Sequence, residues 1–208
     1  MIAAFRLNLP VIYGVIVIIG PYLILLFINP YITEEEMFSW NFWYIVSFIG
    51  GFLYTHLFEW YFHHGPMHHR MKFWPIALMI AHMKHHKVFY GDNYQSRDPD
   101  DLKEITGTYY RFPILVALHY VLFLILFPAY LAPMFFLGET IHLTTYEITH
   151  WYSHLKDNLF DKVISYIPIL NSIRSYQIEH HRIHHEEPIY NFAFNPPYLW
   201  DYVFKTKK

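Results

Sequence analysis

Apolar and polar positions alternate along this chain on the scale of whole helices, not of strands. Residues 10–29 (PVIYGVIVIIGPYLILLFIN) carry no charge, and a helix of that length spans a bilayer at about 1.5 Å per residue. The run is too long for a signal-peptide core and no small-x-small cleavage site follows, so a retained span is expected. After an acidic turn, Thr33-Glu34-Glu35-Glu36, a second apolar stretch runs over 38–62 and delivers Glu59 and His63 at its end. Residues 63–111 are polar, broken by Pro66 and Pro75. Residues 112–149 are again apolar, enough for two spans, 112–128 and 131–149, joined by a turn near Pro128–Pro133. Leu155–Tyr176 is mixed and fits an amphipathic helix at a membrane interface. The expected fold is all-α: a four-helix transmembrane bundle with a histidine-rich helical cap, in a single domain over 1–208.

Composition sharpens this picture. Only 15% of residues are charged, against roughly 25% in soluble domains, and 54% are hydrophobic. The deficit of charge points to an integral membrane protein. A net charge of -2 gives no basic field, so no nucleic-acid partner is expected. The absence of cysteine excludes disulfides, thiolate metal sites and cysteine nucleophiles. Neither turn assigned to the outer side, 30–37 or 128–138, has a Lys or Arg, whereas the polar segments and the C-terminal end are rich in both. The positive-inside rule then places both termini and the polar segments in the cytoplasm, at a bacterial inner membrane or the endoplasmic reticulum.

Histidine carries the chemistry. Thirteen of the 16 histidines fall in four clusters. These read His63-x4-His68, His82-x2-His85-His86, His150-x3-His154 and His181-x2-His184-His185. Residues three or four apart share a helix face, so the last three clusters can each aim imidazoles at one point. Neutral imidazole suits iron, zinc and copper alike. These ten histidines are too many for one tetrahedral ion and match two ions with four or five imidazoles each, in a dinuclear site. Adjacent His85 and His86 then serve different ions. The spacing also admits His64 with His69, and His180 with His184; the flanking residues favour His63/His68 and His181/His184/His185. His64, His69 and His180 would stand behind the ligands or at the surface. Glu59 and Glu147, a turn before His63 and His150, are placed to accept the ligands' second N–H. No catalytic residue beyond the metal site is indicated.

The order HxxxxH, HxxHH, HxxxH, HxxHH between four spans resembles the fatty acid hydroxylase / sterol desaturase superfamily. Glu59-Trp60-Tyr61-Phe62-His63 is similar to its entry into the first box, and Tyr146-x3-His150 to its lead into the third. The tail from His184-His185 through Pro188, Asn191-Phe192, Pro197, Trp200-Asp201, Phe204 and Thr206 is similar to its closing signature, with Ala193 and Lys205 in place of two glycines. The likeness covers roughly residues 45–206. It implies a membrane di-iron oxygenase acting on a lipid, with two Fe ions as cofactor and zinc acceptable in a purified sample. There is no HPGG haem signature, so a separate electron donor (cytochrome b5, a ferredoxin or a reductase) is expected. The lipid, a fatty acyl, sterol-like or isoprenoid chain, would enter from the bilayer and be hydroxylated at an unactivated C–H bond with O2 and two external electrons. Desaturation starts with the same hydrogen abstraction and stays open. So does, from another class, a histidine-rich protein for metal transport or storage.

Overall fold

A computed structural model of the chain describes residues 7–28, 42–105 and 111–208, with side chains for all but 111–113. The described residues are helical and contain no strand beyond one isolated bridge, Ser96 to Leu155. The apolar runs form four long helices: α1 (Leu9–Ile28), α2 (Phe42–Phe62), α5 (Arg111–Leu126) and α6 (Ala132–His154). Between α2 and α5 lie a π turn (His63–Met67), α3 (Ile76–Val88) and the short α4 (Pro99–Leu102). After α6 come α7 (Leu159–Ile164), α8 (Pro168–Glu186) and α9 (Leu199–Val203).

Helices therefore form at all four expected spans. The turn expected over 30–37 and the first residues of the second span lie outside the described residues. By length and composition, one described helix, α1, is long and apolar enough to cross a membrane, and Ile114–Leu126 is a shorter apolar stretch. Helix α5, at 16 residues, is too short for this measure, and α2 and α6 miss it for a visible reason. Helix α2 carries Ser47, Thr55, His56 and Glu59, and α6 carries Glu139, Thr140, His142, Glu147 and His150. The last expected span also runs on to His154, because the third histidine cluster is part of the same helix.

The contacts divide the chain into two units, one chiefly of His56–Gly107 and Ile148–Lys208, the other of Asn8–Thr55 and Thr108–Glu147. The second unit is the apolar one. Its core is Ile18, Val116, Phe123, Ala132, Phe136 and Leu143. Helices α2 and α6 approach closely there through glycine. A Cβ on Gly51 would lie 2.0 Å from the Phe135 carbonyl oxygen, and one on Gly138 2.2 Å from that of Phe48. Small residues that let two helix backbones touch are typical of membrane helix pairs. Two buried polar residues of this unit pair with each other: His119 Nδ1 and Glu139 Oε1 are 2.7 Å apart. The outward positions are apolar, among them Ile16, Ile24, Phe27, Ile125 and Leu126.

The first unit holds every histidine of the four clusters. Its tail, 190–206, folds over them and is pinned from beneath by Asp201. That buried carboxylate accepts the Phe192 and Ala193 N–H groups at 2.9 Å each, Trp60 Nε1–H at 3.2 Å and the Thr206 hydroxyl at 2.7 Å.

Candidate metal centre

Four segments bring nine imidazoles into two groups. In the first, one nitrogen from each of His63, His68, His82, His86 and His184 lies within 4.8 Å of all the others. In the second the same holds for His85, His154, His181 and His185.

The way each segment folds explains who joins which group. On α3, His82 and His86 are four apart and share a face, while His85 is turned by about 100° from His86 and reaches the other group. On α8 the assignment is reversed: His181 and His185 share a face, and His184 crosses to the first group. The two HxxHH boxes thus exchange one ligand each. The first box needs a different device, since residues five apart diverge by about 140° on an α-helix. Here the chain widens into the π turn His63–Met67, with Pro66 inside it, and the rings of His63 and His68 come within 5.2 Å, centroid to centroid. His154, at the end of α6, is held by the neighbouring strand-like segment, with Ser96 N–H donating to its carbonyl at 2.8 Å.

His150 is buried beside the second group, its ring 5.1 Å from that of His85 and 5.0 Å from that of His181. Its nitrogens are not among the four that converge, which sets it apart from the other nine expected ligands. His64 stacks on Trp60 at 4.9 Å and faces His69, which is exposed, so neither joins a group. His180 turns away as well, with Nε2 2.9 Å from the Ala193 carbonyl. The structure thus gathers His63/His68 and His181/His184/His185, the register that the flanking residues favour.

Backbone carbonyls stand behind three of the rings, and for His63 one takes the place expected of Glu59. His63 Nδ1–H donates to the Phe192 carbonyl (2.7 Å), His184 Nδ1–H to that of Tyr190 (2.6 Å) and His154 Nδ1–H to that of Tyr94 (2.9 Å). Glu59 acts one step further back, accepting the Phe194 N–H at 2.6 Å and so holding the tail. Glu147 is buried on α6. Backbone carbonyls leave no residue signature, so the sequence could not have singled out Tyr94, Tyr190 and Phe192.

These bonds fix tautomers. With Nδ1 protonated, the Nε2 atoms of His63, His184 and His154 present lone pairs to the groups' interiors. His82 Nε2 then lies 2.9 Å from His63 Nε2, 3.1 Å from His68 Nε2 and 3.0 Å from His86 Nε2. An imidazole nitrogen has one N–H or one in-plane lone pair, so at most one of these three contacts is a hydrogen bond. Lone pairs crowded at such distances call for a cation. The spacing fits one: ligands about 2.1 Å from an ion stand about 3.0 Å apart at right angles and about 3.4 Å apart in a tetrahedron. In the second group, His181 Nε2 is 3.2 Å from His154 Nε2 and 3.1 Å from His185 Nε2.

Electrostatics keep the rings neutral. Burial and the neighbouring imidazoles push His68 down to about 2, and burial with His63 pushes His86 down to about 3. His82, His85, His181, His184 and His185 are all held well below the ordinary histidine range, first by burial and then by one another. Neutral imidazole is the form that binds a metal. Aromatic rings close the site: Phe192 packs on His63, His68 and His184, Phe194 on His150 and His181, and Phe89 on His154. No protein-family model, curated protein or solved structure matches this chain.

Proposed function

We propose that this protein is a membrane-bound di-iron oxygenase that hydroxylates an unactivated C–H bond of a lipid. The observation that carries the reading is the pair of adjoining, buried, all-imidazole groups, five nitrogens beside four. A transport path would string its ligands through a membrane, whereas these face each other in one enclosed place. When bound, two iron ions supply dioxygen activation, which with two electrons and two protons converts R–H and O2 to R–OH and H2O.

The chain's own residues supply the rest. His63, His68, His82, His86 and His184 hold one ion, and His85, His154, His181 and His185 the other. The Tyr94, Tyr190 and Phe192 carbonyls orient three of those rings and make them stronger donors. Phe89, Phe192 and Phe194 exclude water, which favours productive oxidation over leakage of the oxidant. Iron is chosen for its redox chemistry, since the imidazole donor set accepts zinc as readily. Four spans, the histidine unit on the cytoplasmic side and a separate electron donor complete the proposal. The apolar outward positions of the second unit and the apolar length of α1 support the membrane placement.

The test is chemical. Cells with and without the chain are compared for oxygenated lipids under labelled O2, and the purified chain is assayed for metal content. Labelled hydroxyl in a lipid and two tightly held metals per chain are expected. A weak, exchangeable metal complement with an unchanged lipid profile would favour storage or transport.

A further inference from the structure

Helix α8 has its polarity the wrong way round for water. The buried positions on α8 are Arg174, Gln177, His180, His181, His184 and His185, all polar. Arg174 is tied inward, to Asp161 at 2.7 Å, Gln177 at 2.8 Å and the Thr149 carbonyl at 3.1 Å. The exposed residues from Leu159 to Ile173 include the apolar Leu159, Val163, Tyr166, Ile169, Leu170 and Ile173, with Tyr166 at 75% and Ile169 at 74%, interspersed with Lys162, Ser165, Asn171 and Ser172. Beyond Tyr176 the same outward face turns charged. Glu179 pairs with Arg182 at 2.7 Å, and Arg182 pairs with Glu186. One helix therefore passes from an apolar to an aqueous environment along its own length.

We infer that the outer face of Leu159–Ile173 lies in the interfacial layer of a phospholipid bilayer, apolar side chains among the acyl chains. This rests on the membrane reading above and adds the surface by which the histidine unit itself meets lipid. The edges of the patch fit headgroups. Exposed Lys162 lies between Leu159 and Val163, and Lys207 Nζ sits 5.3 Å from the Tyr176 ring centroid. Lysine and tyrosine around an apolar face are what an interface with anionic lipid selects. A second copy or a protein partner would cover the apolar patch equally but gives no reason for the lysine–tyrosine edge.

The chain has no cysteine, so single-cysteine probes need no background removal. Ile169→Cys, Ile173→Cys and Glu179→Cys report on the two halves of α8, and Ile24→Cys on α1. Each full-length variant is labelled with an environment-sensitive fluorophore in vesicles of phosphatidylcholine with a minor fraction of phosphatidylglycerol. Quenching is read with nitroxide-labelled lipid and with aqueous iodide. Lipid quenching at positions 169 and 173 is expected to exceed that at 179 by ~twofold or more, with iodide quenching in the reverse order. Iodide access at 169 equal to that at 179, while Ile24→Cys is quenched by lipid, overturns the inference and leaves the membrane reading standing. Shielding of 169 from both quenchers means a protein covers the face, and also overturns it. Failure of the lipid quencher to reach Ile24→Cys overturns the membrane reading and this inference with it.

Discussion

His86 and His185 stack ring on ring, with centroids 4.2 Å apart and planes 17° apart, although their nitrogens belong to different groups. They come from different HxxHH boxes, and each box serves both groups. The two candidate ion sites therefore share walls, and neither can be built from one half of the chain.

The shared wall makes His82 and His64 a sharp contrast. His82 Nε2 touches three other ring nitrogens, whereas His64 stacks on Trp60 outside the group. Replacing His82 with Ala should remove about one metal per chain and lower product by more than the roughly 10–100-fold typical of losing a group behind a ligand. His64→Ala should retain both metals and change product by no more than about twofold. Metal analysis and labelled-lipid yield, per unit of membrane-inserted protein, check both. Full metal content in the His82 variant would remove it from the centre.

Lys205 tests the tail. It adopts φ +59°, the left-handed region that costs an L-residue roughly 1–2 kcal/mol and glycine almost nothing. Lys205→Gly should therefore stabilise the chain by about 1 kcal/mol, less the entropy glycine adds to the unfolded state. A thermal melt reads this directly, and a lowered Tm would show that the lysine side chain contributes more than its backbone costs.

The pH response follows from the buried rings. His68 and His86 have folded pKa values far below the ordinary 6.5, so the unfolded chain binds protons that the folded chain does not. Their stabilisation of the folded state is fully present above about pH 6.5 and is lost progressively as pH falls from there toward about 3. The metal-free chain, in chelator, should show a falling Tm as pH drops from about 6.5 to 5, and the metal-loaded chain should hold its Tm to lower pH. Identical profiles with and without chelator would mean that the metal does not bind these rings.

Much of the helical layout was legible in the sequence. Uncharged runs of twenty-odd residues have few alternatives to helix, and the i, i+3 and i, i+4 histidines could already be assigned to shared faces. What periodicity could not supply was everything that depends on irregular backbone. His63 and His68 meet because of a π turn, and the carbonyls that orient the rings come from Tyr94, Tyr190 and Phe192. The same limit applies to His150, whose HxxxH spacing puts it on the face of His154 while its nitrogen stays out of the converging four. The glycines at 51 and 138 were equally silent, because a close helix approach shows only when two segments are seen together.

Those glycines carry a stability prediction for the apolar unit. An added Cβ at either position meets backbone rather than a movable side chain. Gly51→Ala and Gly138→Ala should each destabilise by about 1–3 kcal/mol, whereas Gly50→Ala, with open space around it, should be neutral or mildly stabilising. Unfolding in mixed detergent, followed by circular dichroism, separates the three.

With no cysteine, the chain has no disulfide to hold distant segments together. The histidine groups stand in that place. His68 meets His184 across 116 residues, and His63 reaches Phe192 across 129. Tying positions so far apart removes loop-closure freedom from the unfolded chain, as a long-loop disulfide does. An ion held by both segments would thus be a reversible cross-link, and the supply of that metal would set the lifetime of the folded chain.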